Sequence, residues 1–453
     1  MSARAALRVL AAAIVLAWAP MTNAESIVEP FPVAAAGWGP ELGAGRMASR
    51  WAEALPAGTR LALRAELRLR QAAWRDAPGR PSGAMTQGQF RGVLGADWRP
   101  IPALRIYGEL AGGEVAGHRD AAAANFRNAL SVQQLFVEAR GHFGPVLAGV
   151  MAGRQEFADG PRQLLSLGDG PNLHRSWNGV RAYVHARDWR IGAFDLRTTR
   201  LGPGAFDDGV DARETLRGLN AGLVVGEASF VESFWLHTTQ PAYRIAGRMG
   251  RDERDSVGLR WWGRRGARKF DWTLVRQSGR TVGDRRIDAW ALFASQNLSL
   301  SESGWKPRLT SRLDISSGGG AWGDGAVRTF HPLYASSSYV SEGQLLALGN
   351  LLVFAPGVTV APTPRTTLSL EVGHARRWAA DDAVYATANR AYAGTQDVHG
   401  AHVGELLRLG VAWTPDPRLS WRLNLEHLYV GGVLRRAGHH SASFAFLDLT
   451  LRY

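Results

Sequence analysis

Residues 61–70 read Leu61-Ala62-Leu63-Arg64-Ala65-Glu66-Leu67-Arg68-Leu69-Arg70. Leu61, Leu63, Ala65, Leu67 and Leu69 share one face of an extended chain, and Arg64, Glu66, Arg68 and Arg70 share the other. A period of two marks a strand with one apolar and one polar side. The pattern returns where Trp421, Leu423 and Leu425 oppose Arg422, Asn424 and Glu426, and in the apolar face Leu407, Leu409, Val411 and Trp413. No 3.6-residue period of comparable length competes with it. About eighteen such runs can be marked, many about ten residues long, the length of a tilted strand crossing a bilayer. They begin near residues 60, 89, 103, 131, 145, 176, 189, 217, 228, 254, 268, 287, 306, 344, 365, 403, 418 and 442. The runs near 268 and 287 alternate poorly.

The connections alternate between tight and long. Tight ones fall at 99–102, 143–144, 187–188, 226–227 and 414–417; long ones at 114–130, 157–175, 316–343 and 378–402. Short turns on one side and long loops on the other are the pattern of an outer-membrane barrel, with the turns in the periplasm. Trp98, Trp189, Trp262, Trp305, Trp413 and Trp421 sit beside tight turns, where an interfacial girdle needs rings. The last strand, Phe446-Leu447-Asp448-Leu449-Thr450-Leu451-Arg452-Tyr453, alternates and closes on an aromatic, which looks like an outer-membrane assembly signal.

Composition agrees with this fold class, an all-β single barrel. The 453 residues include no cysteine, 53 glycines and 17 tryptophans. Zero cysteine excludes disulfide frameworks, thiolate metal sites and cysteine nucleophiles. A mean hydropathy of −0.16 is too polar for a bundle of membrane helices. Residues 1–24 read as a signal peptide: Arg4 and Arg8 precede an apolar run ending at Ala19, and Thr22-Asn23-Ala24 offers a cleavage site. Residues 25–58 then form an N-terminal extension and 59–453 the barrel, reached by Sec-type export in a Gram-negative cell. No plug-sized domain is read before the first strand, against a receptor of the plugged type.

The charge is the functional signal. The formal net charge is +13, and of 53 basic residues only Lys269 and Lys306 are lysine. Arginine is scattered at alternating positions instead of clustered, which argues against nucleic acid as partner. In lipid, every backbone group must be paired, so strands span only as a closed barrel. An arginine on the lipid face at mid-bilayer costs roughly 2–4 kcal/mol, so the alternating arginines are expected in the lumen. These are Arg64, Arg68, Arg91, Arg105, Arg140, Arg181, Arg197, Arg408, Arg422 and Arg452, interspersed with Glu66, Glu109, Glu138, Asp195, Glu426 and Asp448. A positive excess in a water-filled lumen favours anions.

Three stretches carry a resemblance. Gly153-Arg154-Gln155-Glu156-Phe157, then Asp169-Gly170-Pro171-Asn172, then Arg175-Ser176-Trp177-Asn178-Gly179-Val180-Arg181 resemble the alginate-export family of outer-membrane porins. Thr329-Phe330-His331-Pro332-Leu333-Tyr334 and Gly349-Asn350-Leu351 are similar to later segments of that family, with His331 where the family has Asn or Asp. The resemblance implies an 18-stranded barrel whose arginine-rich constriction passes an anionic uronate polymer outward. It carries Arg154, Arg175 and Arg181 over as lining or loop-ordering residues, and matches Asp195, Arg197 and Asp448 to luminal positions. The longest tight turn is read near 355–364, so no large periplasmic lid is expected.

The expected function is passive, anion-selective passage of an acidic polysaccharide or related anionic solute, with no cofactor, no metal and a monomeric barrel in outer-membrane lipid. Periplasmic export partners are left open. Uptake of small anions is the alternative. A hydrolase barrel is the rival class, and His174 with Ser176 or His439-His440 with Ser441 would have to carry it. Asp159, Asp169, Asp207, Asp208 and Asp211 match no EF-hand spacing and are read as loop acids.

Overall fold

The computed structural model describes residues 59–453 apart from 79–82, 118–122, 159–162, 169, 227, 337 and 387–388. The signal peptide, the extension 25–58, Asp159 and Asp169 lie outside the described residues.

Alternating side chains make strands, and the strands close on themselves. In chain order they are β1 (Arg60–Arg75), β2 (Ala84–Ile101), β3 (Leu104–Ala116), β4 (Asn128–Phe143), β5 (Val146–Glu156), β6 (Ser176–His185), β7 (Trp189–Arg200) and β8 (Gly209–Val224). Then come β9 (Ser229–Ile245), β10 (Arg248–Arg265), β11 (Arg268–Thr281), β12 (Arg285–Ser299), β13 (Arg308–Ser316), β14 (Leu351–Thr363) and β15 (Thr366–Arg376). A two-residue hairpin, β16 (Tyr385–Ala386) and β17 (Arg390–Ala391), sits in a loop. The wall finishes with β18 (His402–Asp416), β19 (Leu419–Val430) and β20 (Ala442–Arg452), and one helical turn, α1 (Gly432–Arg436), precedes β20. Leaving β16 and β17 aside, the strands form one 18-stranded antiparallel sheet. Its first and last members pair, from Glu66 opposite Arg452 to Arg75 opposite Ser443. The poorly alternating runs near 268 and 287 are full strands, β11 and β12.

Three expectations are corrected. The run placed near 344 begins at Leu351, because residues 344–350 fold inward as part of a loop. Residues 355–363 are strand, and the longest tight-side connection is 300–307. Trp262 faces the lumen, stacked on Phe230 at 4.2 Å, while Trp261 supplies the outward ring. On the loop side two connections are short. The β9–β10 turn has Ala246 and Gly247 at φ 49° and 76°, the left-handed pair that a two-residue hairpin of right-twisted strands requires.

The barrel has two apolar environments. Leu67, Leu69, Phe90, Leu94, Val137 and Leu447 point outward and are exposed, as lipid-facing groups are. Inside, loops 157–175, 317–350 and 377–401 bring Phe157, Leu165, Phe330, Leu345 and Tyr392 against inward residues such as Phe194, Leu196, Leu216, Val275 and Phe293. The loops are therefore packed into the barrel interior and not raised above it.

Candidate functional site

The inward faces of β18, β19, β20, β1 and β2 carry a continuous row of guanidinium groups. Arg408 donates to Glu426 at 3.0 Å and to Glu371 at 3.2 Å. Arg422 donates to Asp448 at 2.7 Å. Arg70 grips the same carboxylate with two N–H groups, at 2.5 and 2.6 Å. Arg91 and Arg452 flank Glu66 from either side, Arg452 at 3.0 Å. Register explains the row: Arg422 and Arg70 both lie opposite Asp448, and Arg68 lies opposite Arg91. The planar two-point grip on Asp448 fixes the Arg70 guanidinium, and the Arg422 side chain beside it is 48% exposed.

The tip of loop 157–175 leans on this row. Arg68 donates to the Pro171 carbonyl at 2.7 Å and to Asn172 Oδ1 at 3.3 Å, and Arg70 donates to the Gly170 carbonyl at 3.1 Å. Asn172 is anchored in turn to the Glu114 and Phe126 carbonyls at 3.0 and 2.6 Å. It fits because Gly113 has no side chain: a methyl there would lie 2.5 Å from Asn172 Cβ. Loop 317–350 reaches the same wall. Ser341 Oγ and the Glu342 and Gly343 amides all donate to the Glu426 carboxylate. Burial pushes the Glu342 carboxyl above the usual carboxylate range, while Arg408 and Arg422 pull it down. The Glu342 amide, held on the carboxylate that Arg408 also binds, sets this loop against the guanidinium row.

The opposite wall is balanced. Arg260 pairs with Asp271 at 2.6 Å and Glu232 at 3.1 Å, Arg190 also meets Glu232, and buried Arg254 meets Asp252 at 3.0 Å. Positive excess therefore belongs to the β18–β2 side.

Of the residues marked from sequence, Arg64, Arg68, Arg91, Glu138, Arg140, Arg181, Arg422 and Asp448 lie on inward faces. Arg64 is 3.5 Å from Glu109. Glu138 accepts from Tyr183 at 2.5 Å. Arg140 reaches the Pro102 carbonyl at the tight-turn end, at 3.3 Å. Arg181 lies over the Phe157 ring at 4.5 Å. Arg175 orders loops: it donates to the Ser166 and Tyr334 carbonyls at 3.1 and 2.8 Å, joining 157–175 to 317–350.

Three assignments change. Phe194 and Leu196 are buried inside, so Asp195 and Arg197 between and beyond them face the outer wall. Arg154 also faces outward, holding Asn178 at 3.0 Å, the Val132 carbonyl at 2.9 Å and Asp208 at 3.2 Å beneath loop 201–208. On β7 the packed loops make the inner face apolar, so the polar side turns out, while Arg154 turns out between inward Gly153 and Gln155 to hold loop 201–208. Arg70, Glu371 and Glu342 were passed over. Arg70 shares the parity of Arg64 and Arg68 and was legible; Glu342 lies in a loop without periodicity.

The hydrolase pairs are occupied otherwise. His174 Nδ1 is 2.7 Å from Glu156 and its Nε2 2.9 Å from Arg91, while Ser176 donates to Thr199 at 3.0 Å. His439 meets the Ala393 carbonyl at 2.9 Å, and Ser441 accepts from the Val430 amide at 3.2 Å. Asp207 accepts from the Gly204 amide and Asp208 from Ser131, so these loop acids brace their own loop.

A family described as alginate export matches residues 104–448. Among solved structures, OccAB1 of Acinetobacter baumannii superposes with a TM-score of 0.58 over 87% of this chain and 96% of that one, at 10% identity. OccK9 (OpdG) of Pseudomonas aeruginosa gives 0.57 over 87% and 98%, at 13% identity. A BenF-like porin from Pseudomonas fluorescens Pf-5 gives 0.55 over 86% and 99%, at 12% identity. Likeness at such identities is one of fold. No curated protein matches the sequence.

Proposed function

This chain belongs to the alginate export family, and we propose on that premise that its outer-membrane channel passes an acidic polysaccharide by diffusion along the guanidinium row. The observation that carries the reading is the row itself: Arg408, Arg422, Arg70, Arg91 and Arg452 line one wall, and the Arg422 side chain, 48% exposed beside Asp448, offers a place for a uronate carboxylate. Several weak sites in series hold an anion without trapping it. No group in the row needs a cofactor to do this.

Single-channel recording in planar bilayers tests it. The expected result is anion selectivity and block by mannuronate or guluronate oligomers. Arg422→Gln relieves the block, because the Arg422 side chain is 48% exposed and its loss leaves Asp448 still gripped by Arg70. Arg154→Gln, on the outer wall, retains it. Cation selectivity with no block defeats the proposal.

A second reading, passage of small carboxylates, is favoured by the loops packed into the interior. OpdK of Pseudomonas aeruginosa, a neighbour in fold at a TM-score of 0.54 and 11% identity, is described with vanillate. Block that is strong for monomers and lost with oligomer length supports that reading over the polymer.

A further inference from the structure

The outer wall is not uniform. On β1 the outward series is Leu61, Leu63, Ala65, Leu67 and Leu69, with the last two about half exposed. On β7 it is Trp189, Ile191 and Ala193, and then Asp195 and Arg197. Register carries this break sideways. Asp195 lies opposite Arg217, Arg217 opposite His237, His237 opposite Asp255, Asp255 opposite Ser278, and Ser278 opposite Asp288. With ~3.3 Å per residue and a tilt near 40°, Asp195 stands roughly 15 Å above Trp189, well short of the ~25 Å apolar band of such barrels.

An Arg–Asp–Arg group stands at each end of this row. Asp195 is shared by Arg197 and by Arg217 at 3.2 Å. Asp288 is shared by Arg276 and by Arg286 at 3.3 Å. Each group has two guanidiniums for one carboxylate, hence a net positive charge and more N–H donors than that carboxylate can accept. The side chains of Arg217, Arg276 and Arg286 are 50%, 47% and 69% exposed, so their unused edges are reachable from the membrane.

We propose that this face of the barrel, β7 to β12, binds the phosphorylated headgroups of outer-leaflet lipid. The row lies on the loop side of Trp189, towards the cell exterior, so the leaflet beside it is the outer one. Long arginine stems lie along apolar surface and raise their heads to the interface. The guanidinium fork matches phosphate oxygens in two-point fashion. A second copy of the chain is the poorer occupant, because it would set the same net-positive groups against one another.

The test uses the full barrel and vesicles of phosphatidylcholine with bisphosphorylated lipid A, or with lipid A stripped of both phosphates. The readout is the thermal unfolding midpoint, followed by the gel shift between folded and heated barrel. The phosphorylated lipid is expected to raise the midpoint and the stripped lipid to leave it unchanged. The double variant Arg217→Gln with Arg276→Gln should lose most of the rise. Asp195→Asn, which releases two guanidiniums, should enlarge it. An equal rise with either lipid, or an undiminished rise in the double variant, overturns the proposal. Should the double variant fail to fold, the wild-type rise must shrink with added salt, and a salt-independent rise overturns it. A wild-type dimer by light scattering that the double variant turns into a monomer would instead assign this face to contact between copies.

Discussion

A methyl group decides the position of the constricting loop. Gly113 and Asn172 meet so closely that Gly113→Ala must displace one of them. Gly113 is paired in the sheet with both Arg91 and Asn128, whereas Asn172 is held only by side-chain hydrogen bonds, so the loop tip, not the strand, gives way. The expected outcome is higher single-channel conductance with weaker oligomer block, and a changed barrel content in circular dichroism would contradict it. Glu342 sets a pH dependence at the same scale. Burial holds its carboxyl above the ordinary Glu range near 4.3, so acidification neutralises it before an ordinary glutamate. Protonation removes a negative charge that opposes Arg408 and Arg422, so anion selectivity should rise as pH falls through that window. Glu342→Gln should show the high selectivity at neutral pH and lose the pH step; reversal potentials in a salt gradient measure both. The charge of the row was legible in the alternation of Arg64, Arg68 and Arg422, but the carboxylate beside it was not, since no period governs a loop.

Loop 317–350 shares its apolar core with the barrel wall, Phe330 packing against Phe293. Phe330, Leu345, Leu346 and Leu348 are buried, and His331 lies among them with its ring 4.6 Å from Tyr243. Burial drives the imidazole down to about 3, with Arg254 adding to the fall. A histidine depressed in the folded state gives stability above its unfolded pKa near 6.5 that is lost as pH falls towards the folded value. Denaturant titrations from pH 7 to pH 4 should therefore show falling stability in the wild type. His331→Asn, which cannot titrate, should flatten that slope. The strands teach the limit of sequence reading. On β1 the rule that apolar residues face lipid holds for Leu61, Leu63, Ala65, Leu67 and Leu69. On β7 it reverses after Ile191, because Phe194 and Leu196 bury against Phe157 and Leu216 inside the barrel. Alternation gives the existence of a strand and its two faces. Which face is wet depends on what loops such as 157–175 pack inside the barrel, and Asp195 and Arg197 were misplaced for that reason.

At the scale of the molecule, a buried charge pair crosses the seam where the first and last strands close the ring. Asp448 on the last strand binds Arg70 on the first, and both are nearly inaccessible. Removing one partner of such a pair leaves a buried charge and costs roughly 3–5 kcal/mol. Asp448→Asn should lower the unfolding midpoint of the folded barrel correspondingly, while Arg422→Gln, with its exposed side chain, should lower it much less. The barrel itself was legible in the strand count and in the alternation of tight and long connections. The asymmetry of its interior was not, because it follows from which side chains of neighbouring strands meet, as Arg260 meets Asp271 and Glu232. That lopsidedness has a mechanical corollary. A thread drawn through the bore would ride like a cable against a single rail, off centre, with one edge in grip and the other sliding past balanced wall. The spacing of acid groups along that edge, and not the total acidity of the thread, then sets the friction it meets.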